Sequence, residues 1–237
     1  MLRENEIERL RRAIIATIAS PLIGAVEDYT WEAIFHYVKD IPLSDPALGR
    51  SKLLYDAVDA TSETGWSLKS LQLNNFTAAS TFLFVIQRAD IIKKSAQLGF
   101  PNLTEQSSPE ELGLAIIKHW NEKITSNQAE QGVVNSYEGI LLKTIGGSEY
   151  IYCEFPLDPS VFSWDWTIER STGKSGAGLQ GSIAGKKELV WYKNQKQLFR
   201  ARTLPRDAVH IRVERKQITI DRYVQIVLSA LQDRINP

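Results

Sequence analysis

Two short apolar segments, Leu53–Ala60 and Trp66–Leu73, flank the turn T-S-E-T-G and bring a carboxylate and a lysine onto one predicted hairpin. On a strand, residues two apart share a face. Leu53, Tyr55, Ala57 and Asp59 therefore line one side of the first segment. In the second, Ser67, Lys69 and Leu71 line one side, and Trp66, Leu68, Ser70 and Gln72 the other. Pairing across the turn is expected to bring Asp59 and Lys69 together at one end of the sheet. Asp56 is expected on the opposite face from Asp59, or at a twisted strand start. A carboxylate that holds a divalent cation beside an ammonium that orients water is the minimum for metal-assisted phosphodiester hydrolysis. An ordinary surface ion pair on an edge hairpin is the competing reading, and such a pair is worth little energetically.

The elements that position this hairpin follow from periodicity. Residues 4–19 place Ile7, Leu10, Ile14, Ile15 and Ile18 at helical spacing, and Pro21 ends that helix. Thr30 is expected to cap a second helix carrying Glu32 in its first turn. Residues 41–50, with two prolines and a glycine, read as a loop. Residues 77–98 read as a helix ended by Gly99 and Pro101. Ser108, with Pro109 at the first helical position, starts another that runs to about residue 127. The second half is rich in strands. Residues 137–144 and 149–155 flank I-G-G-S as a hairpin, and further strand-like runs occupy 164–169, 179–184, 188–192, 197–201 and 209–213. A helix over 221–234 closes the chain. The order predicts an α+β or mixed α/β fold, with a central sheet holding the hairpin and helices flanking it. Over its 237 residues it reads as a single domain. A helical and hairpin half spans 1–130, and a basic, strand-rich half spans 131–237.

The arrangement of Asp59, a tight turn, then Ser67-Leu68-Lys69 in an apolar strand resembles the Asp…(Asp/Glu)-x-Lys nuclease superfamily, whose commonest members are type II restriction endonucleases. D-A-T-S-E-T-G-W-S-L-K-S is similar to variants in which serine replaces the second acid. The resemblance covers roughly residues 1–100 and rests on very few side chains. It implies a restriction endonuclease-like fold and Mg²⁺-dependent cleavage of double-stranded DNA by a homodimer. By position, Asp59 and the Leu68 carbonyl would bind Mg²⁺, and Lys69 would position the attacking water. Ser67 stands where a metal-binding carboxylate is usual. Either Glu63 in the turn supplies the missing acid, or the site works with fewer acids, or it is inactive. A further acid from the preceding helix matches Glu32 or Glu8.

The chain carries 28 basic and 28 acidic residues, yet the charge is unevenly spread. Between Arg170 and Arg222 there are thirteen Lys/Arg against four Asp/Glu, a net +9. Such a stretch suits a polyanion, or a solvated surface balanced by neighbouring acids. Its candidate nucleic-acid contacts are Lys174, Lys186, Lys187, Lys193, Lys196, Arg200 and Arg202, interleaved with Trp191, Tyr192 and Phe199. These residues also allow a non-catalytic nucleic-acid-binding protein, the alternative to a nuclease. Gly173-Lys174-Ser175 lacks the glycine five residues before it that a phosphate-binding loop needs, so nucleotide binding is rejected. His36, His119 and His210 lie on separate elements without metal-ligand spacing, and no G-x-S-x-G elbow occurs. The single cysteine, Cys153, excludes an intramolecular disulfide and reads as a small buried hydrophobe. No apolar run is long enough to span a membrane, and the charged N-terminus lacks a signal core. The expectation is a cytoplasmic protein.

Overall fold

In the computed structural model, residues 1–43, 53–74, 81–157, 161–168 and 175–235 are described. The chain forms two units whose sequence segments interleave. The first comprises Met1–Phe76, Val133–Pro156 and Arg206–Pro237; the second comprises Thr77–Gly132 and Leu157–Pro205. This division does not follow the expected halves meeting at residue 130. The basic strands join residues 77–132, and the hairpin joins later strands.

The first unit opens with α1 (Glu4–Ala19) and α2 (Asp28–Lys39). In α1, Leu10, Ile14 and Ile18 recur every fourth residue and are fully buried. Helix α2 starts one turn earlier than Thr30 predicts. Glu27 is its N-cap, and the Thr30 hydroxyl accepts the Glu27 N–H at 2.7 Å from inside the first turn. Five strands follow: β1 (Ala57–Asp59), β2 (Thr64–Leu73), β4 (Asn135–Thr144), β5 (Glu149–Pro156) and β10 (Val209–Arg212), which lie side by side in that order. Strands β2 and β4 are parallel, and the chain between them passes through the second unit. Trp66 and Leu68 of β2, Leu141 of β4 and Tyr150 and Tyr152 of β5 form one core with α1 and α2. Phe35 of α2 meets the Trp66 ring at 5.4 Å. Ser67 and Lys69 alternate with these core residues and so face the other side of the sheet. Cys153 is buried in β5, as its apolar setting predicts.

The second unit holds β3 (Thr81–Arg88), α3 (Pro109–Gln131), β6 (Ser163–Ile168), β7 (Ser175–Ile183), β8 (Lys186–Tyr192) and β9 (Gln197–Thr203). Its sheet runs β3-β9-β8-β7-β6, antiparallel throughout. The helix expected over 77–98 is not formed. Residues 81–88 are a strand in which Phe82, Phe84 and Ile86 are buried while Thr81, Leu83 and Val85 face outward. That alternation of period two, with β-branched and aromatic residues, is strand patterning. Helix α3 begins as expected: the Ser108 hydroxyl accepts the Glu111 N–H at 3.2 Å and Pro109 fills the first position. Ser108→Ala is expected to cost about 1 kcal/mol in a urea unfolding titration, because the first turn loses that acceptor. The closing helix, α4 (Ile220–Ile235), belongs to the first unit. Among the described residues, four helices and two five-stranded sheets make a mixed α and β fold, and no helix is long and apolar enough to cross a membrane.

Candidate active site on the first hairpin

Register decides which aspartate meets the lysine. In the β1–β2 pair Ala57 lies opposite Trp66, Val58 opposite Gly65 and Asp59 opposite Thr64. Lys69 is five residues beyond Thr64, about 17 Å along the strand at roughly 3.4 Å per residue. The expected meeting of Asp59 and Lys69 therefore does not occur. Asp59 instead builds the turn. Its Oδ1 accepts the Thr61 N–H at 2.9 Å and its Oδ2 accepts the Ser62 hydroxyl at 2.7 Å. These bonds, the Ser62 hydroxyl first and the Thr61 N–H next, hold the Asp59 carboxyl below its ordinary range. A depressed carboxyl stabilises the fold above its unfolded value near pH 4, and that contribution fades as pH falls through the folded value. Asp59→Asn is expected to lower stability at neutral pH, with the difference from wild type vanishing on acidification; urea midpoints across pH read this out.

Asp56 occupies the place expected of Asp59. Strand β1 begins just after it, which is the twisted strand start allowed by the sequence. Its Oδ2 accepts the Leu68 N–H at 2.7 Å, so a side chain replaces the backbone acceptor that a longer β1 would supply. The same oxygen lies 3.9 Å from Lys69 Nζ. Lys69 Nζ also donates to Ser67 Oγ at 3.2 Å and to the Leu68 carbonyl at 2.8 Å. Solvent reaches both ends of the ion pair, whose side chains are 29% (Lys69) and 26% (Asp56) exposed. His36, buried on α2, fixes the backbone here: Nε2 lies 2.9 Å from the Asp56 carbonyl and Nδ1 lies 3.0 Å from the Pro42 carbonyl.

The other expected acids lie elsewhere. Glu63 is exposed in the turn with φ +49°, and its carbonyl accepts the Val134 and Asn135 N–H groups at 2.7 and 3.0 Å. Glu32 is on α2, which packs on the Trp66 and Leu68 side of the sheet, opposite to the Ser67 and Lys69 face. Glu8 is exposed on α1 and pairs with Arg11 at 3.7 Å. One acid was not anticipated. The parallel register sets Glu138 of β4 directly beside Ser67, on the same face, and Glu138 is 2% exposed. A carboxylate inside the apolar run Y-E-G-I-L-L was the available signal, since such a group is costly to bury unless paired or used. Asp56, Ser67 and Glu138 thus form a row across three neighbouring strands, with the outer two backbones about 10 Å apart at the usual strand spacing. Among the described residues, no group of three or more His, Cys, Asp or Glu gathers closely enough to hold a metal.

The basic candidates lie in the second unit and are largely engaged there. Lys196 Nζ donates to Asp90 at 2.9 Å, Lys193 pairs with Glu105 at 3.9 Å, and Glu188 takes both Arg202 at 3.3 Å and Lys186 at 3.9 Å. Arg200 is buried within β9, and Lys187 is half-buried on β8. Lys174 lies outside the described residues. Trp191 is buried with its indole N–H donated to the Ala89 carbonyl at 2.8 Å, and Tyr192 packs edge-on to Phe199 at 5.2 Å. Trp191 therefore serves the core, and it offers no face to a base.

Comparison with protein-family models, with curated proteins and with solved structures yields no match for this chain.

Proposed function

We propose that the first hairpin is the hydrolytic site of a magnesium-dependent endonuclease of the restriction type acting on double-stranded DNA. The observation that carries this reading is the Lys69 ammonium held against the Asp56 carboxylate and the Ser67 hydroxyl at a solvent-reached strand start. Glu138 lies beside Ser67 in the next strand and supplies the acid that serine lacks. The donor set fits magnesium, which binds through one or two carboxylates and keeps several of its waters. Asp56 and Glu138 would hold it, with the Leu68 carbonyl adjacent. The ion, when bound, supplies charge stabilisation at a phosphate oxygen. Lys69 orients water and donates toward the phosphate, and Ser67 and the Leu68 carbonyl fix its direction. Asp56 keeps the ammonium charge in place, and His36 holds the Asp56 backbone against α2. Two copies of the chain act together on this reading, one on each strand.

A non-catalytic nucleic-acid binder built on the basic strands is the weaker reading, because Lys186, Lys193, Lys196 and Arg202 already face acids of their own unit. The test uses supercoiled plasmid of mixed sequence, incubated with the protein and Mg²⁺ or with EDTA. Discrete fragments formed only with Mg²⁺ are the expected result. Salt-sensitive retention of DNA with no cleavage under either condition would transfer the assignment to the binder.

A further inference from the structure

A small cavity in the first unit, of about 60 Å³, lies on the face of the sheet opposite to Ser67 and Lys69, near the far ends of β2 and β4. The loop before α2, the turn between β4 and β5, and the segment after β10 close around it. Its polar lining is dominated by donors. Lys143 is 8% exposed, and its Nζ donates to the Val26 carbonyl and pairs with Glu27 at 3.0 Å. An ammonium has three N–H groups, so one is left over. Arg215 reaches in from beyond β10 and spends one donor on the Gly24 carbonyl at 3.2 Å, leaving the rest of its fork. Tyr150, 1% exposed, lines the same space. Burial pushes the Tyr150 phenol up against the pull of Arg215, so the group keeps its proton and donates. Glu27 is the one carboxylate present and is more than half exposed.

We propose that this cavity is a binding site for a small oxyanion of the phosphate class, held by Lys143, Arg215 and the Tyr150 hydroxyl. Two cations face one carboxylate, so a net positive charge awaits an anion. The Tyr150 phenol, which lines the cavity, adds a neutral donor beside the two cations. The volume exceeds what a single water needs, which suits an ion with several acceptor oxygens. Guanidinium and ammonium donors together match a tetrahedral oxyanion better than a neutral ligand. The site uses none of Asp56, Ser67, Lys69 and Glu138 and stands independently of the nuclease reading.

The probe is inorganic phosphate, titrated into the whole chain at constant ionic strength and followed by ¹H–¹⁵N correlation spectra. Saturable shifts confined to the backbone amides around Gly24, Val26 and Gly147 are the expected result. Tyr150→Phe removes one hydroxyl and keeps the ring. It is expected to weaken binding by about tenfold, the usual effect of one hydrogen bond to a charged group. Arg215→Gln, at an exposed position, is expected to do at least as much. A parallel titration with a nucleoside monophosphate separates the sources: comparable binding identifies an esterified phosphate, and binding of the free ion alone identifies inorganic phosphate. Absence of saturable shifts at those amides, or unchanged affinity in both variants, would overturn the proposal. Both variants leave Asp56 and Lys69 intact, so plasmid cleavage and phosphate binding fail or succeed separately.

Discussion

Lys69→Met is expected to lower magnesium-dependent cleavage by about 10²–10⁴-fold, the range for losing a positioned proton-transfer or charge-stabilising group. The side chain keeps its length, so the strand loses the charge and three donors without losing bulk. Asp56→Asn is expected to fall comparably. The amide oxygen can still accept the Leu68 N–H, so the strand start survives while the negative charge beside Lys69 disappears. Lys69→Arg keeps the charge but replaces a compact ammonium by a planar fork, which does not fit between Ser67 Oγ and the Leu68 carbonyl. It is expected to recover little. Glu138→Gln tests the acid contributed by β4, and on the proposed reading it raises the Mg²⁺ concentration needed for half-maximal rate. Asp59→Asn is the decisive control. Its carboxylate serves the turn, so cleavage stays within about twofold of wild type at neutral pH while stability drops. Loss of activity in Asp59→Asn with full activity in Asp56→Asn would return the site to the aspartate first expected from the sequence.

The contrast between the two aspartates shows what a sequence does and does not specify here. The hairpin itself was legible, because T-S-E-T-G separates two apolar runs. The partner of Lys69 was not, because it depends on where the pairing begins. That is set by the side-chain bonds of Asp59 within the turn, and by Tyr55, whose hydroxyl is tied to Ser136 at 2.7 Å in another part of the chain. The place of Glu138 beside Ser67 was not legible for a related reason: its apolar setting marks the carboxylate, but a parallel register between strands far apart in sequence has no local signature. Helices α1 and α3 were readable from spacing and caps. Strand β3 was misread because its continuous apolar run satisfies helix and strand templates alike, and only burial on alternate residues separates them. How far the net +9 segment is balanced was not legible in it, since Asp90 and Glu105, two of the acids that engage it, precede it in the chain.

Gly113→Ala is expected to destabilise the second unit by about 2 kcal/mol, although alanine is the better helix former by about 1 kcal/mol. Gly113 lies in α3, and an added Cβ would sit 2.3 Å from Cγ and Cδ1 of the Trp164 indole. Real carbon contacts do not approach so closely, so the ring or the helix must move. The ring has little room to do so. Its other edge lies against Gly181 of β7, where a Cβ would come within 3.0 Å, and Trp164 is 7% exposed. The Trp164 backbone N–H also donates to the Glu110 carboxylate in the first turn of α3 at 3.2 Å, which ties the strand to the helix beside the contact. Overpacking a rigid aromatic costs about 1–3 kcal/mol, and the upper end of that range outweighs the gain in propensity. Urea unfolding of Gly113→Ala measures the sign directly. Trp164→Leu, costly by itself through lost burial, opens the space over Gly113. In that background the alanine is expected to be neutral or stabilising, giving a coupling of about 2 kcal/mol between the two positions. Additive effects instead would mean that α3 is not seated on β6 through this glycine.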